Sequence, residues 1–307
     1  MGQATGHLHI GAGNNLRGII LMLVAMAFFA VEDMFVRLAA VDLPIGEIIF
    51  ASGAAGHLIF ALMAGRRGER IWVKDAFHPA VITRNIGEMI GTFAYVTALS
   101  KVPLHTLSAV LQALPLAVTL GAALYFRERV GWQSWTAIAA GFFGVLLVIQ
   151  PGMTGFQPQA LWVLVAVAAL ALRDLASRAI PHRHSNAQVS AWGLAAVTAL
   201  GAAMMVAHGT VQLPNPWQSA TLIGAIGFGT VGYWAVTAAS RTGEVGAVAP
   251  FRYIRLVFAI CIGMSVFQEF PDRITLLGAA IIILSGLYSI GRVHLRKRAL
   301  SMAASPR

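Results

Sequence analysis

Two arginines three positions apart, in Pro250-Phe251-Arg252-Tyr253-Ile254-Arg255, lie in an apolar stretch that carries no acid of its own. On a helix the two cations share a face, about 4.5 Å apart along the axis. A charge in apolar surroundings is costly, so Arg252 and Arg255 serve either a ligand or a partner on another element, for example Glu88. The ligand that suits them is anionic or rich in hydrogen-bond acceptors. Pro250 removes a backbone donor beside them, and Gln112 and Pro115 stand at the corresponding place in an earlier apolar stretch. Tyr95, Tyr233, Trp234, Phe251 and Tyr253 are the aromatic groups available to stack on a flat ring. The residues expected to contact a substrate are therefore Arg252, Arg255, Tyr253, Trp234, Tyr95 and Gln112.

The other ionisable groups in apolar runs are Glu32, Asp33, Glu88, Asp174, Arg84 and Arg173. The spacings Asp33 to Arg37, Arg84 to Glu88 and Asp174 to Arg178 predict same-helix ion pairs. Glu88, Asp33 and Asp174 are thus candidates either for proton coupling or for plain charge pairing. Enzyme signatures are missing: there is no His-Glu-x-x-His, no phosphate loop and no Gly-x-Ser-x-Gly. His57, with Ser52 a turn and a half earlier, is the one constellation that fits an intramembrane hydrolase. A histidine hydrogen-bonded to a neighbouring helix explains it better. The pairs His7/His9 and His182/His184 read as solvated loop residues, and no catalytic residue, metal or cofactor is expected. The single cysteine, Cys261, excludes an intrachain disulfide and is expected to be a buried packing residue.

The elements that must position these groups follow from composition. The 307 residues are 58% hydrophobic and only 11% charged, too apolar for an ordinary soluble domain. Ten apolar stretches, at 17–36, 44–65, 79–100, 103–126, 131–150, 159–180, 187–208, 217–240, 245–268 and 274–293, each have the length of a spanning helix. Nearly every proline falls at or between their ends, and Trp72, Trp132, Trp135, Trp162 and Trp217 sit near the boundaries. The first stretch reads as a retained span, not a signal peptide. With the N-terminus inside, fifteen Lys and Arg fall on the cytoplasmic side against three outside, which puts both termini in the cytoplasm. The net charge of +10 then reflects topology, and nucleic acid is not an expected partner.

The chain also repeats itself. Thr97-Ala98-Leu99-Ser100-Lys101 matches Thr237-Ala238-Ala239-Ser240-Arg241 at a spacing of 140, while Asp33/Arg37 matches Asp174/Arg178 and Glu128 matches Glu269 at 141. Two halves of five spans follow, 16–151 and 159–293. Five is odd, so the second half enters the membrane from the opposite side. The expected fold is an all-α membrane protein of ten transmembrane helices in two inverted five-helix repeats, the architecture of many secondary transporters. Glu128 and Glu269, at span ends, are expected to cap helices and order loops. Arg252 and Arg255 correspond to Leu111 and Leu114 in the first half, so repeat symmetry does not require their charges.

With the runs 98–103, Pro115-Leu116, Phe126-Arg127-Glu128-Arg129-Val130, 135–151, 238–248 and 250–288, the chain resembles the drug/metabolite transporter superfamily, EamA type. Leu172-Arg173-Asp174-Leu175-x-x-Arg178, Pro250-Phe251-Arg252-Tyr253-x-Arg255-Leu256 and Phe267-x-Glu269-x-Pro271-Asp272 are similar to the bacterial group with riboflavin and S-adenosylmethionine uptake transporters. Ser52 departs from the pattern, since relatives tend to carry Arg there. The resemblance implies a multi-pass protein of the cell inner membrane that takes up a small organic metabolite, flavin-like or nucleoside-like, with the lipid bilayer as its other partner. Export of amino acids or toxic compounds is the rival within the class, and a non-transporting scaffold is the rival outside it. A homodimer stays open.

Overall fold

Lipid cannot satisfy backbone amides, so apolar chain in a membrane folds into helices that bond internally. The computed structural model describes residues 12–125, 131–152, 156–181, 183–209, 213–242 and 245–303, and no strand occurs among them. Glu128, His7, His9 and His182 lie outside the described residues. The helices are α1 (Ala12–Ala39), α2 (Ile45–Gly65), α3 (Pro79–Leu99), α4 (Leu104–Leu111), α5 (Leu114–Tyr125), α6 (Trp132–Ile149), α7 (Leu161–Arg178), α8 (Asn186–His208), α9 (Pro216–Thr242), α10 (Val245–Val248), α11 (Ile254–Val266) and α12 (Arg273–Ala303). Among the described residues eight helical stretches are long and apolar enough to cross a membrane. The helix α3 is not one of them, because Arg84, Asn85 and Glu88 lower its hydropathy, and the apolar part of α12 is the shorter Arg273–Ser289.

Two of the stretches expected to be continuous are broken, and a proline marks each break. The fourth divides into α4 and α5 at Gln112 and Ala113, whose amides reach back three residues to Ala109 and Val110. Pro115 thereby falls in the first turn of α5, where a missing N–H leaves no helical bond unmade. The ninth runs as α10, a 3-10 turn over Ala249–Tyr253 that contains Pro250, and then α11. The broken elements are the ones that carry Gln112, Arg252 and Arg255.

The most extensive helix contacts all cross between the two halves of the chain: α1 on α9, α2 on α8, α3 on α7 and α6 on α12. That pattern maps onto itself when each span is exchanged for its repeat mate, so a twofold-like duplication governs the packing. At the α6–α12 crossing two glycines meet, and a Cβ added to Gly144 would lie 2.8 Å from the Gly278 carbonyl oxygen. No side chain fits there, so the backbones approach directly.

Cys261 corrects the expectation of a buried packing residue. It is exposed on α11, on the side of Val257 and Met264 and opposite buried Ala259 and Gly263. In a membrane helix the outer face is apolar too, so hydropathy alone does not distinguish inside from outside.

Candidate functional site

Asp33 on α1, Tyr95 on α3 and Arg255 on α11 converge. Asp33 is 1% exposed, and its Oδ2 accepts from Arg255 Nη2 at 2.7 Å. The Tyr95 hydroxyl donates to Asp33 Oδ1 and accepts from the same Arg255 nitrogen at 2.9 Å. The guanidinium carbon lies 5.4 Å from the centroid of the Phe29 ring, one turn earlier on α1. Glu32, next to Asp33, is turned to α9, where its carboxyl lies against Gly229.

A second group bridges α3 and α7. Glu88 receives Arg84 at 3.0 Å and Arg173 at 3.2 Å, while Arg173 Nη2 also reaches Asp174 at 2.8 Å. Arg84 further donates to Asn85 at 3.2 Å. The spacing of Arg84 and Glu88 thus gives the pair that it suggests. The spacing of Asp33 and Arg37 does not: Asp33 pairs with Arg255, and Arg37 pairs with Glu269 while its guanidinium lies 4.4 Å over the Phe267 ring. Asp174 takes its neighbour Arg173.

Arg252 stands in the 3-10 turn between these groups. It is exposed, feels the charges of Asp174, Arg173 and Arg255, and makes no ion pair or side-chain hydrogen bond among the described residues. The Gln112 amide donates to the carbonyls of Arg252 (3.4 Å) and Tyr253 (3.1 Å), so the break in the fourth stretch holds the break in the ninth. Phe251, which sequence reasoning named only as a stacking candidate, is exposed beside Arg252.

The structure does not bring every expected contact residue to this centre. Tyr253 is buried, with its ring against Gly286 of α12, so it packs away from Arg252. Trp234 is exposed on the row of α9 shared with Ile223, opposite the row that meets α1. Gln112 contacts backbone across the break. Of the six residues expected to bind substrate, Arg255 and Tyr95 stand in this centre, and Arg252 lies exposed within electrostatic reach of it. His57 donates to the Ala191 carbonyl at 2.8 Å, the interhelical bond that its sequence context suggests. Among the described residues no three His, Cys, Asp or Glu side chains converge as a metal site would require.

The two ends of the bundle are tied by polar contacts between halves. At one end Glu269 accepts from the Leu104 amide at 2.8 Å, capping α4 of the other half, and pairs with Arg37. At the opposite end Asp75, in the loop before α3, accepts from Arg183 Nε at 2.9 Å and His184 Nε2 at 2.8 Å, both in the loop before α8. The hydrogen bonds from Arg183 and then His184 hold the Asp75 carboxyl below its ordinary range. Gln188 donates to the Arg70 carbonyl and Trp192 to that of Ile71, each at 2.6 Å, which completes this seam.

A helical bundle in which two duplicated halves interleave and two broken helices meet beside buried charge has the architecture of a secondary transporter. The sequence comparisons give the family: the EamA-like transporter family matches residues 16–150 and again 157–290, and the chain belongs to it. It is a multi-pass membrane transporter, not an enzyme. The chain is similar to the S-adenosylmethionine uptake transporter of Rickettsia felis, 26% identical over 220 residues, which cover 72% of this chain and 73% of the relative. It is similar too to the pseudopaline exporter CntI of Pseudomonas aeruginosa (24% over 270 residues; 87% and 94%) and the riboflavin transporter of Vibrio cholerae (26% over 276 residues; 88% and 91%). One crystal structure, 17% identical, aligns over 91% of this chain and 98% of its own with a TM-score of 0.56, a likeness of fold alone.

Proposed function

We propose that the protein is a ten-span secondary transporter of the inner membrane, with repeats at 16–151 and 159–293 and both termini cytoplasmic. It takes up a small organic metabolite bearing a carboxylate or an acceptor-rich ring, and needs neither metal nor cofactor. The observation that carries this reading is Arg252: an exposed cation at the meeting of two broken helices, with no ion pair among the described residues. A structural arginine in apolar surroundings takes an acid, as Arg84, Arg173 and Arg255 do, so an arginine left over is one held for a ligand. Phe251 beside it supplies an aromatic face. Arg255 and Tyr95 line the same centre, and their bonds to Asp33 fix them in place. Rocking of one half against the other, with the Arg37–Glu269–Leu104 contact closing the outer end and the Asp75–Arg183–His184 seam the inner end, gives alternating access.

The test is uptake of labelled S-adenosylmethionine, riboflavin and a set of amino acids by cells that lack their own carriers and express wild type or Arg252→Ala. Saturable uptake of one compound, reduced at least about tenfold in the variant at equal membrane expression, is the expected result; a loss of one charge-assisted contact gives that factor. Uptake undiminished in Arg252→Ala sinks the site. The second reading is export, favoured by the similarity to the pseudopaline exporter. Inside-out vesicles that accumulate a compound which right-side-out vesicles do not would establish it.

A further inference from the structure

The acids placed among the spanning helices are not alike. Asp33 holds Arg255 and Tyr95, Glu88 holds two arginines, and Asp174 holds Arg173. Glu32 has no hydrogen bond or ion pair among the described residues. Neighbours on a helix point about 100° apart, so the carboxyl of Glu32 looks to α9 while that of Asp33 looks to α3 and α11. Its place is a notch in α9: a Cβ built on Gly229 would lie 2.6 Å from Glu32 Oε1 and 2.7 Å from its carboxyl carbon. Any side chain at 229 would displace the acid. Glu32 lies seven residues before the end of α1, about 10 Å into the bundle.

We infer that Glu32 carries the coupling proton of transport, an inference that rests on the reading of Arg252 as the substrate contact. The groups around it account for the coupling. On α1 there are Asp33 and, one turn on, Arg37, which is committed to Glu269; α11 presents Arg255, α3 presents Tyr95, and the 3-10 turn carries Arg252. From α9 the facing residue is Gly229, and the nearest titratable group described on that helix, Tyr233, is bonded to Ser190. The short α10, Val245–Val248, contributes none. Asp174 and Arg173, which also act on Arg252, offset each other, so with Glu32 ionised the two acids Glu32 and Asp33 balance the two cations Arg255 and Arg252. A proton on Glu32 leaves one positive charge in excess. Arg255 is in electrostatic contact with both Glu32 and Arg252, while its Nη2 stays bound to Asp33. The excess is therefore met at Arg252, the exposed cation, by the anionic group of the substrate. Proton at Glu32 and the substrate's anionic group at Arg252 raise each other's affinity, as linkage requires, because together they add no net charge to this group of residues. The acid with no partner is free to exchange its proton without breaking an ion pair; Asp33 and Glu88 are not.

The test has a part that needs no substrate. Infrared difference spectra of the purified full-length protein in lipid, between mildly acid and mildly alkaline pH, should contain a protonated-carboxyl C=O band that disappears in Glu32→Gln and persists, shifted, in Glu32→Asp. A band unchanged in Glu32→Gln overturns the assignment, whether or not any compound is transported. In proteoliposomes given S-adenosylmethionine as the probe, Glu32→Gln should retain exchange of labelled for unlabelled compound. It should lose the stimulation of net uptake by a pH gradient, and Glu32→Asp should restore it. A purely structural role would lower both activities together, and that outcome also overturns the proposal. Failure of the Arg252 reading is separate: it appears as Arg252→Ala behaving like wild type, with the infrared band intact.

Discussion

Across the α3–α7 contact Arg84, Glu88, Arg173 and Asp174 each have an opposite charge within 3.2 Å: Arg84 and Arg173 share Glu88, and Arg173 adds Asp174. Around the α1–α11 contact one pair, Asp33 with Arg255, is completed by a phenol, while Glu32, toward α9, and Arg252, in the 3-10 turn, have no ion pair among the described residues. The two regions share one repeat-related helix, α1 corresponding to α7; the repeat mate of the α3–α7 contact is α1–α9, where Glu32 faces Gly229. One has closed its charge balance internally and the other has kept one acid and one base open. An internally neutral group ties helices together and has nothing left to bind. A group with an open cation and an open acid can be completed only by something that comes and goes.

The sharpest way to break this comparison is to remove the cation of the second region. Arg255→Leu leaves Asp33, 1% exposed, without its counter-charge, and is expected to cost about 3–5 kcal/mol of stability. Denaturant unfolding of the purified protein in micelles measures it. Adding Asp33→Asn in the same chain should recover a large part, since the penalty is an orphaned carboxylate and not lost packing. In the first region Glu88→Gln removes one acid from between two guanidiniums that keep Asn85 and Asp174 as partners, so a loss of about 1–3 kcal/mol is expected. Transport per folded molecule should stay near wild type. A variant that is fully stable yet inactive would erase the distinction between the two regions.

The smallest effect belongs to the loops. Asp75 has its carboxyl held below the ordinary value of 3.8 by Arg183 and His184. An acid depressed in the folded state stabilises it above the ordinary value, and that contribution disappears as pH falls from there through the depressed value. Protection from hydrogen exchange at 69–75 and 183–188, taken relative to the intrinsic rate at each pH, should therefore fall below about pH 3.8 in wild type. In Asp75→Asn the protection should be lower already at neutral pH and change little on acidification.

Much of the candidate site was legible because charge in apolar sequence is rare and conspicuous. Arg252, Arg255, Asp33, Glu88 and Asp174 stand out for that reason alone, and Pro115 and Pro250 mark where two helices break. The i, i+4 spacing of Asp33 and Arg37 misled, because same-helix pairs are weak and yield to partners that tertiary contact brings closer. Tyr253 and Trp234 misled for a different reason. Both helix faces are apolar when one meets lipid and the other meets protein, so periodicity does not say which way a ring points.

Unbroken apolar runs of about 20 residues already make this chain helical and membrane-embedded, because in lipid such a run must satisfy its polar backbone within itself. The amino-acid sequence by itself also determined the duplication, which is written in spacings of 140 and 141. Only the tertiary structure decided which charges neutralise one another. Ion pairing in an apolar medium depends on separations of a few ångströms between residues as far apart in the chain as Asp33 and Arg255, 222 positions. Those separations are set by how the two halves interleave, and with them the identity of the two groups left open, Glu32 and Arg252.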